Sequence, residues 1–240
     1  MHELRAPTHD PVFQVGMKVM EFLKLYHRYE LRGLENLPAT GAGIIAISHS
    51  FATYENLLLA SEIYLRTGRY CAGLADRRIF QTPGLAQFFK RIGAISGSPE
   101  VGADLLHKGN LLMLSPGGMR EALRPSSEKY RVDWAGRLGF ARLAIKTQVP
   151  VILAACPKAD DLYTLYENPL TPLVYQKYKW PLPLLRGWGP TWLPRPVKLI
   201  HYLSESIVAP QQCKTDVPEE NVRKFHEQLD LQMQKLMSNH

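Results

Sequence analysis

Cysteine is scarce in this 240-residue chain: Cys71, Cys156 and Cys213 stand far apart, with no CxxC spacing. That excludes a disulfide framework or a clustered zinc site as the organising device, and makes a reducing, cytoplasmic compartment the default. Long apolar runs are lacking too, each falling well short of the roughly 20 residues that span a bilayer, so no membrane crossing is expected. No GxSxG occurs; Ser48 and Ser50 flank a histidine but no nucleophile elbow surrounds them, which removes a serine hydrolase from consideration. The opening "MHELRAPTHDPVF" has neither a basic start followed by an apolar run nor a small-residue cleavage site, so no targeting peptide is expected. Acidic residues are in deficit, 22 against 29 Lys and Arg, for a net charge of +7 that favours anionic partners. The basic residues form no stripe with stacking aromatics, and nucleic acid is therefore not an expected partner.

What is present is a regular alternation. Strand candidates are "GIIAIS" (43–48), "CAGLA" (71–75), "IGAIS" (92–96), "NLLMLS" (110–115), "PVILAAC" (150–156) and "VKLIHYL" (197–203). Between them lie amphipathic runs such as "NLLLASEIYLRTG" and "RLGFARLAIKTQ", which end at Gly or basic residues as helices do. The pattern predicts an α/β fold, a mostly parallel central sheet covered by helices.

Three segments stand outside it. Residues 12–28 form an amphipathic N-terminal helix whose broad apolar face suits a membrane interface or packing on its own domain. The division expected is therefore this helix, residues 1–28, and one domain over residues 29–240. "YKWPLPLLRGWGPTWLPRP" (178–196) gathers three of the four Trp with five Pro. Rings on irregular backbone beside Lys and Arg suit the headgroup region of a bilayer, more than a loop folded over the core. The last segment spaces Val222, Phe225, Leu229, Met233 and Leu236 as one face of a docking helix.

Three clusters can carry chemistry. His49 ends the first core strand, where the open edge of an α/β sheet collects active sites, and Tyr54 and Glu55 follow within reach of a loop that turns back. A carboxylate steadies an imidazolium better than a phenol does, so Glu55 is the expected support and Tyr54 the alternative. Gly117 and Gly118 in "SPGGMREALR" let backbone approach a ligand closely, and Arg120 beside Glu121 offers a planar fork for oxygens; the alternative is a tight turn with a solvated charge. Arg77 and Arg78, in a basic rim beside an apolar helix, suit a phosphate-rich acyl carrier or are simply solvated surface charge.

The strand ending in His49, the "PGLAQFFKRIGAI" block, "SPGGMREAL" and "GFARLAIKTQVPVILAA" follow one another as in glycerolipid acyltransferases related to lysophosphatidate acyltransferase, which the chain resembles over roughly Tyr29 to Ala155. The family's Asp, separated from the His by four residues, is Tyr54 here, and its Glu-Gly-Thr-Arg reads Gly117-Gly118-Met119-Arg120. In both respects the chain looks more like the branch of type 2 diacylglycerol acyltransferases and phytyl ester synthases, with a His and an acid separated by five residues. The resemblance implies an O-acyltransferase, peripheral on a membrane, that moves a fatty acyl group from acyl-CoA or acyl carrier protein to a lipid hydroxyl, glycerolipid or long-chain alcohol. It implies His49 as general base with Glu55; Gly117, Gly118, Arg120 and Glu121 at the substrate; Arg77 and Arg78 at the donor; and no bound cofactor or metal. The alternatives are a non-catalytic lipid-binding protein on the same fold, suggested by the two departures, and a lysophospholipid acyltransferase with a phosphate-bearing acceptor.

Overall fold

The computed structural model describes residues 4–75, 80, 85–91, 93–168, 183–211 and 217–239. Asp76, Arg77, Arg78, Trp180 and Cys213 lie outside the described residues. One sheet organises the rest. Strands β1 (Glu30–Arg32), β2 (Gly43–Ile47), β3 (Cys71–Ala75), β4 (Ala94–Ser96), β5 (Leu111–Leu114), β6 (Val151–Ala155) and β9 (Ile200–Leu203) are ordered β1-β9-β6-β2-β5-β3-β4. From β6 to β4 the strands run parallel, while β9 is antiparallel to β6 and parallel to β1. A short hairpin, β7 (Thr164–Leu165) with β8 (Leu185–Arg186), lies apart.

The central strand β2 is apolar at every position because both of its faces are covered. Ile44 and Ala46 join a core with helices α4 (Pro99–His107), α6 (Gly139–Thr147) and α7 (Glu219–Met237). Ile45 and Ile47 point the other way, against Leu59 and Ile63 of α2 (Tyr54–Thr67). Val222, Phe225, Leu229 and Met233 are buried as the docking face of α7. The described residues also include helices α3 (Leu85–Arg91) and α5 (Gly118–Ala122).

Helix α1 (Pro11–Tyr26) starts on a side-chain cap: the Asp10 carboxylate accepts from Val12 N–H at 2.7 Å, with Pro11 at the first position. It packs on α2 through Met20, through Phe13 edge-on to Tyr64, and through a Lys24–Glu62 ion pair of 2.7 Å. Lys24 therefore belongs to the packed side, not to the outer polar stripe. Facing outward are Val15, Val19, Phe22 and Leu25, all exposed. Among the described residues no helix is long and apolar enough to cross a membrane.

Candidate active site

The carboxyl ends of β2, β5 and β6 meet at His49. Ser48 N–H still belongs to the sheet, donating to the Ala154 carbonyl at 3.0 Å, and the Ser48 hydroxyl accepts from Cys156 N–H. His49 then leaves the sheet and is buried, 8% exposed. Its Nδ1 lies 2.9 Å from the Ser50 carbonyl. A carbonyl can only accept, so Nδ1 carries the proton and Nε2 of the neutral ring bears the lone pair. Burial, aided by the Arg124 cation and opposed by the Ser50 carbonyl, pulls the imidazole pKa down to about 4. The ring is thus held unprotonated at neutral pH.

Glu55 supports this arrangement by a different route from the one the spacing predicts. Its Oε1 accepts from Ser50 N–H at 3.3 Å and from the Ser50 hydroxyl at 2.7 Å, while Oε2 is buried with no hydrogen-bond partner. The carboxyl group fixes Ser50, and the Ser50 carbonyl fixes His49; no direct Glu55–His49 bond forms. Burial pushes the Glu55 carboxyl up to about 7, against the bonds from Ser50. The cause of this register is Thr53, the residue before α2, at φ 62° and ψ −31°. A β-branched residue there is strained, by about 1–3 kcal/mol. Tyr54 turns away altogether, its hydroxyl 2.8 Å from His27 Nε2.

The main chain of His49 is gripped from both sides. Glu121 Oε2 accepts the His49 N–H at 3.2 Å, and Arg124 Nη1 donates to the His49 carbonyl at 3.2 Å. Arg124 also donates to the Glu121 carbonyl and is ion-paired through Nη2 to Asp160, in the 3₁₀ turn Pro157–Asp161 that follows β6. Burial pushes the Glu121 carboxyl up to about 8, while Arg124 and two backbone N–H donors pull the other way. Beside this group is a small cavity whose lining includes Phe51, Arg124, Lys129, Asp160 and Tyr163.

Glu121 is therefore at the site, but as a support for His49. Arg120 is not: it is exposed and bonded to Asp133 at 2.8 Å, while Arg124, beyond the end of α5, turns inward in its place. The two glycines do permit close approach, but by the protein itself. A side chain at Gly117 would meet Glu121 Oε2 at 2.3 Å and the Asp133 carbonyl at 2.7 Å, and Gly118, at φ 52°, faces the Arg137 guanidinium. Arg137 in turn donates to the carbonyls of Pro116 and Gly117. The sequence reading passed over Arg124, Asp160 and His27. For Arg124 a signal existed, its i, i+3 spacing from Glu121; His27 has none. No group of three or more His, Cys, Asp or Glu that could hold a metal ion occurs among the described residues.

Known proteins share this frame. The chain is 35% identical over 185 residues to a protein of Gallus gallus named DGAT1/2-independent enzyme synthesizing storage lipids, covering 77% of this chain and 53% of the relative. The protein of the same name from Homo sapiens is 32% identical, over 76% of this chain and 55% of its own length. The chain thus spans about half the length of the curated relatives it matches. The crystal structure of the 1-acyl-sn-glycerophosphate acyltransferase PlsC from Thermotoga maritima superposes with a TM-score of 0.56 over 95% of this chain and 80% of that one, at 16% identity, which shows a shared fold. Residues 28–156, which contain β2, His49, the Pro-Gly-Gly turn and β6, match the family model Acyltransferase, and the chain belongs to that family.

Proposed function

We propose that this chain transfers a fatty acyl group from an acyl thioester, acyl-CoA or acyl carrier protein, to the hydroxyl of a lipid acceptor, glycerolipid or long-chain alcohol, at a membrane surface. The observation that carries the reading is the tautomer of His49. With Nδ1–H committed to the Ser50 carbonyl, Nε2 is the ring atom able to take a proton. As it removes the hydroxyl proton, the acceptor oxygen bonds to the thioester carbonyl carbon. The tetrahedral intermediate then expels the thiolate, which takes the proton back from His49. No covalent enzyme intermediate is required.

Two features narrow the acceptor and the setting. Two cations that line the cavity beside His49 are already ion-paired, Arg124 with Asp160 and Lys129 with Asp161. That favours an acceptor that is not obligatorily a phosphomonoester. The last turn of α1 is tied to the segment that carries the exposed Trp188, Trp192 and Leu193: Phe22 stacks on Tyr26, whose hydroxyl donates to the Pro194 carbonyl at 2.7 Å. Exposed apolar and indole side chains clustered in this way suit the headgroup layer of a bilayer.

Thiol release measured on acceptor-bearing vesicles tests the reading. His49→Gln should lower the rate by about 10²- to 10⁴-fold, the usual worth of a general base. Retention of most of the rate in a folded His49→Gln protein would remove His49 as base. Lipid binding with no thiol release by the wild type, across monoacylglycerol, diacylglycerol, fatty alcohol and lysophosphatidate, would establish a non-catalytic lipid binder. A strong preference for lysophosphatidate would exclude the neutral-acceptor reading.

A further inference from the structure

His27 is fully buried at the carboxyl end of α1, more than twenty residues ahead of the family's first motif. Both of its ring nitrogens are committed. Nδ1 is 3.0 Å from the Val197 carbonyl and therefore carries the proton; Nε2 then accepts from the Tyr54 hydroxyl at 2.8 Å. The two rings also stack, with centroids 5.7 Å apart and planes 25° apart. With no nitrogen to spare, His27 is not a base. It is a bolt between the last turn of α1 and the first residue of α2.

That first residue ends the loop on which the proposed chemistry depends. Ser50, whose carbonyl sets the His49 tautomer, is separated from Tyr54 by Phe51, Ala52 and the strained Thr53. Local bonds in the loop are short-range: Tyr54 N–H to the Ala52 carbonyl at 2.7 Å, Ala52 N–H to the Ser50 hydroxyl at 3.2 Å, the Thr53 hydroxyl to the Phe51 carbonyl at 3.3 Å, and Asn56 N–H to the Thr53 carbonyl at 3.1 Å. A strained turn persists where its surroundings over-determine it. Here the surroundings are Glu55 gripping Ser50 on one side and His27 gripping Tyr54 on the other.

We propose that His27 is a positioning residue for acyl transfer: acting through Tyr54, it holds the Ser50–Thr53 loop in the shape that orients His49, and makes that shape depend on how α1 is seated. The catalytic consequence rests on the acyl-transfer reading above; the coupling of His27 to the loop does not. Because α1 presents exposed Val15, Val19, Phe22 and Leu25 and ends on His27, a lipid surface that presses on α1 acts on this same bolt.

The test uses the full chain on acceptor-bearing vesicles, with Tyr54→Phe, His27→Phe and the double variant. Tyr54→Phe removes one hydroxyl and keeps the ring. Its kcat should fall by about tenfold, the order expected when a catalytic group shifts by a fraction of an ångström, while KM for the thioester and vesicle sedimentation stay at wild-type values; the thermal midpoint falls modestly, because His27 Nε2 is left buried without a donor. The double variant should lose less than the product of the two single losses, because the singles share the His27–Tyr54 contact, although His27→Phe also gives up the bond to the Val197 carbonyl. Histidine-labelled NMR supplies a readout independent of turnover: the His49 ring signals should move in Tyr54→Phe. Unmoved His49 signals, an unchanged kcat, or losses that multiply in the double variant would overturn the proposal. Should His27→Phe fail to fold, the Tyr54→Phe arms decide alone. A wild type without turnover in which Tyr54→Phe still moves the His49 signals would sink the acyl-transfer reading and leave the loop coupling standing.

Discussion

Two histidines in this protein share one device and differ in one atom. His27 and His49 each give Nδ1–H to a main-chain carbonyl, but Nε2 of His27 is taken by Tyr54 whereas Nε2 of His49 is not held by a neighbouring residue. Burial lowers the His49 pKa to about 4 and that of His201 to about 3, below their ordinary 6.5. The acid limb of the rate profile should accordingly lie near pH 4–5, well below the limb of an ordinary imidazole. For stability the sign is fixed by proton counting. Between pH 6.5 and about 4 the unfolded chain binds the histidine protons that the folded one refuses, so stability is lost as pH falls through that window. Glu55 and Glu121, raised to about 7 and 8 from 4.5, act oppositely: the folded state holds their protons, and stability is lost as pH rises through 4.5 to 8. Thermal midpoints should therefore peak at mildly acidic pH, and Glu121→Gln should flatten the alkaline decline. A midpoint still climbing between pH 7 and 9 would contradict this. Arg124→Met removes the cation between Asp160 and the His49 carbonyl, leaving a buried carboxylate unpaired; a loss of about 3–5 kcal/mol in denaturant unfolding is expected.

Among the elements, the Pro-Gly-Gly turn and α1 make the clearest demands. Gly117→Ala would put a methyl group where Glu121 Oε2 now sits, so Glu121 must release the His49 N–H. An unpaired buried donor costs about 1–3 kcal/mol, read as a lowered unfolding midpoint together with reduced turnover. Replacing Phe22, Trp188 and Trp192 by Ser should shift the protein off anionic liposomes in sedimentation, because exposed apolar surface is lost while the fold is untouched. Sedimentation like wild type would return these side chains to ordinary surface. The elements themselves were largely legible in the sequence, since burial of β2 on two faces and the caps of α1 and α4 are written in neighbouring residues. Their fine registers were not. Arg120 and Arg124, four apart, would share a face if α5 continued, so which of them turns inward depends on where that five-residue helix stops, and whether Tyr54 or Glu55 meets the His49 loop depends on one positive φ at Thr53, which a threonine does not announce. Strand β1 escaped notice because three residues of mixed character carry no period.

At the scale of the whole molecule, the α/β class follows from the alternation of patterns, but the order of strands does not, because no local signal names a strand's partner. The reversed pair at the sheet margin is the feature that composition and periodicity leave unstated: β1, near the start of the chain, pairs with β9, near its end. The contact of His27 with Val197 closes the same gap, 170 residues apart in sequence. On a ribosome adding about 5–20 residues per second, α1 and β1 emerge roughly 10–30 s before the segment that receives them. During that interval the apolar stripe of α1 has no finished domain to constrain its angle, and a nearby bilayer can capture it first. In refolding without lipid, the amides of β1 should gain protection in the slowest phase, after those of β2, β5 and β6, as pulse-labelling hydrogen exchange can show. A helix made well before its partners would then be the one whose seat is settled last, so that lipid already present at synthesis can guide how the molecule closes.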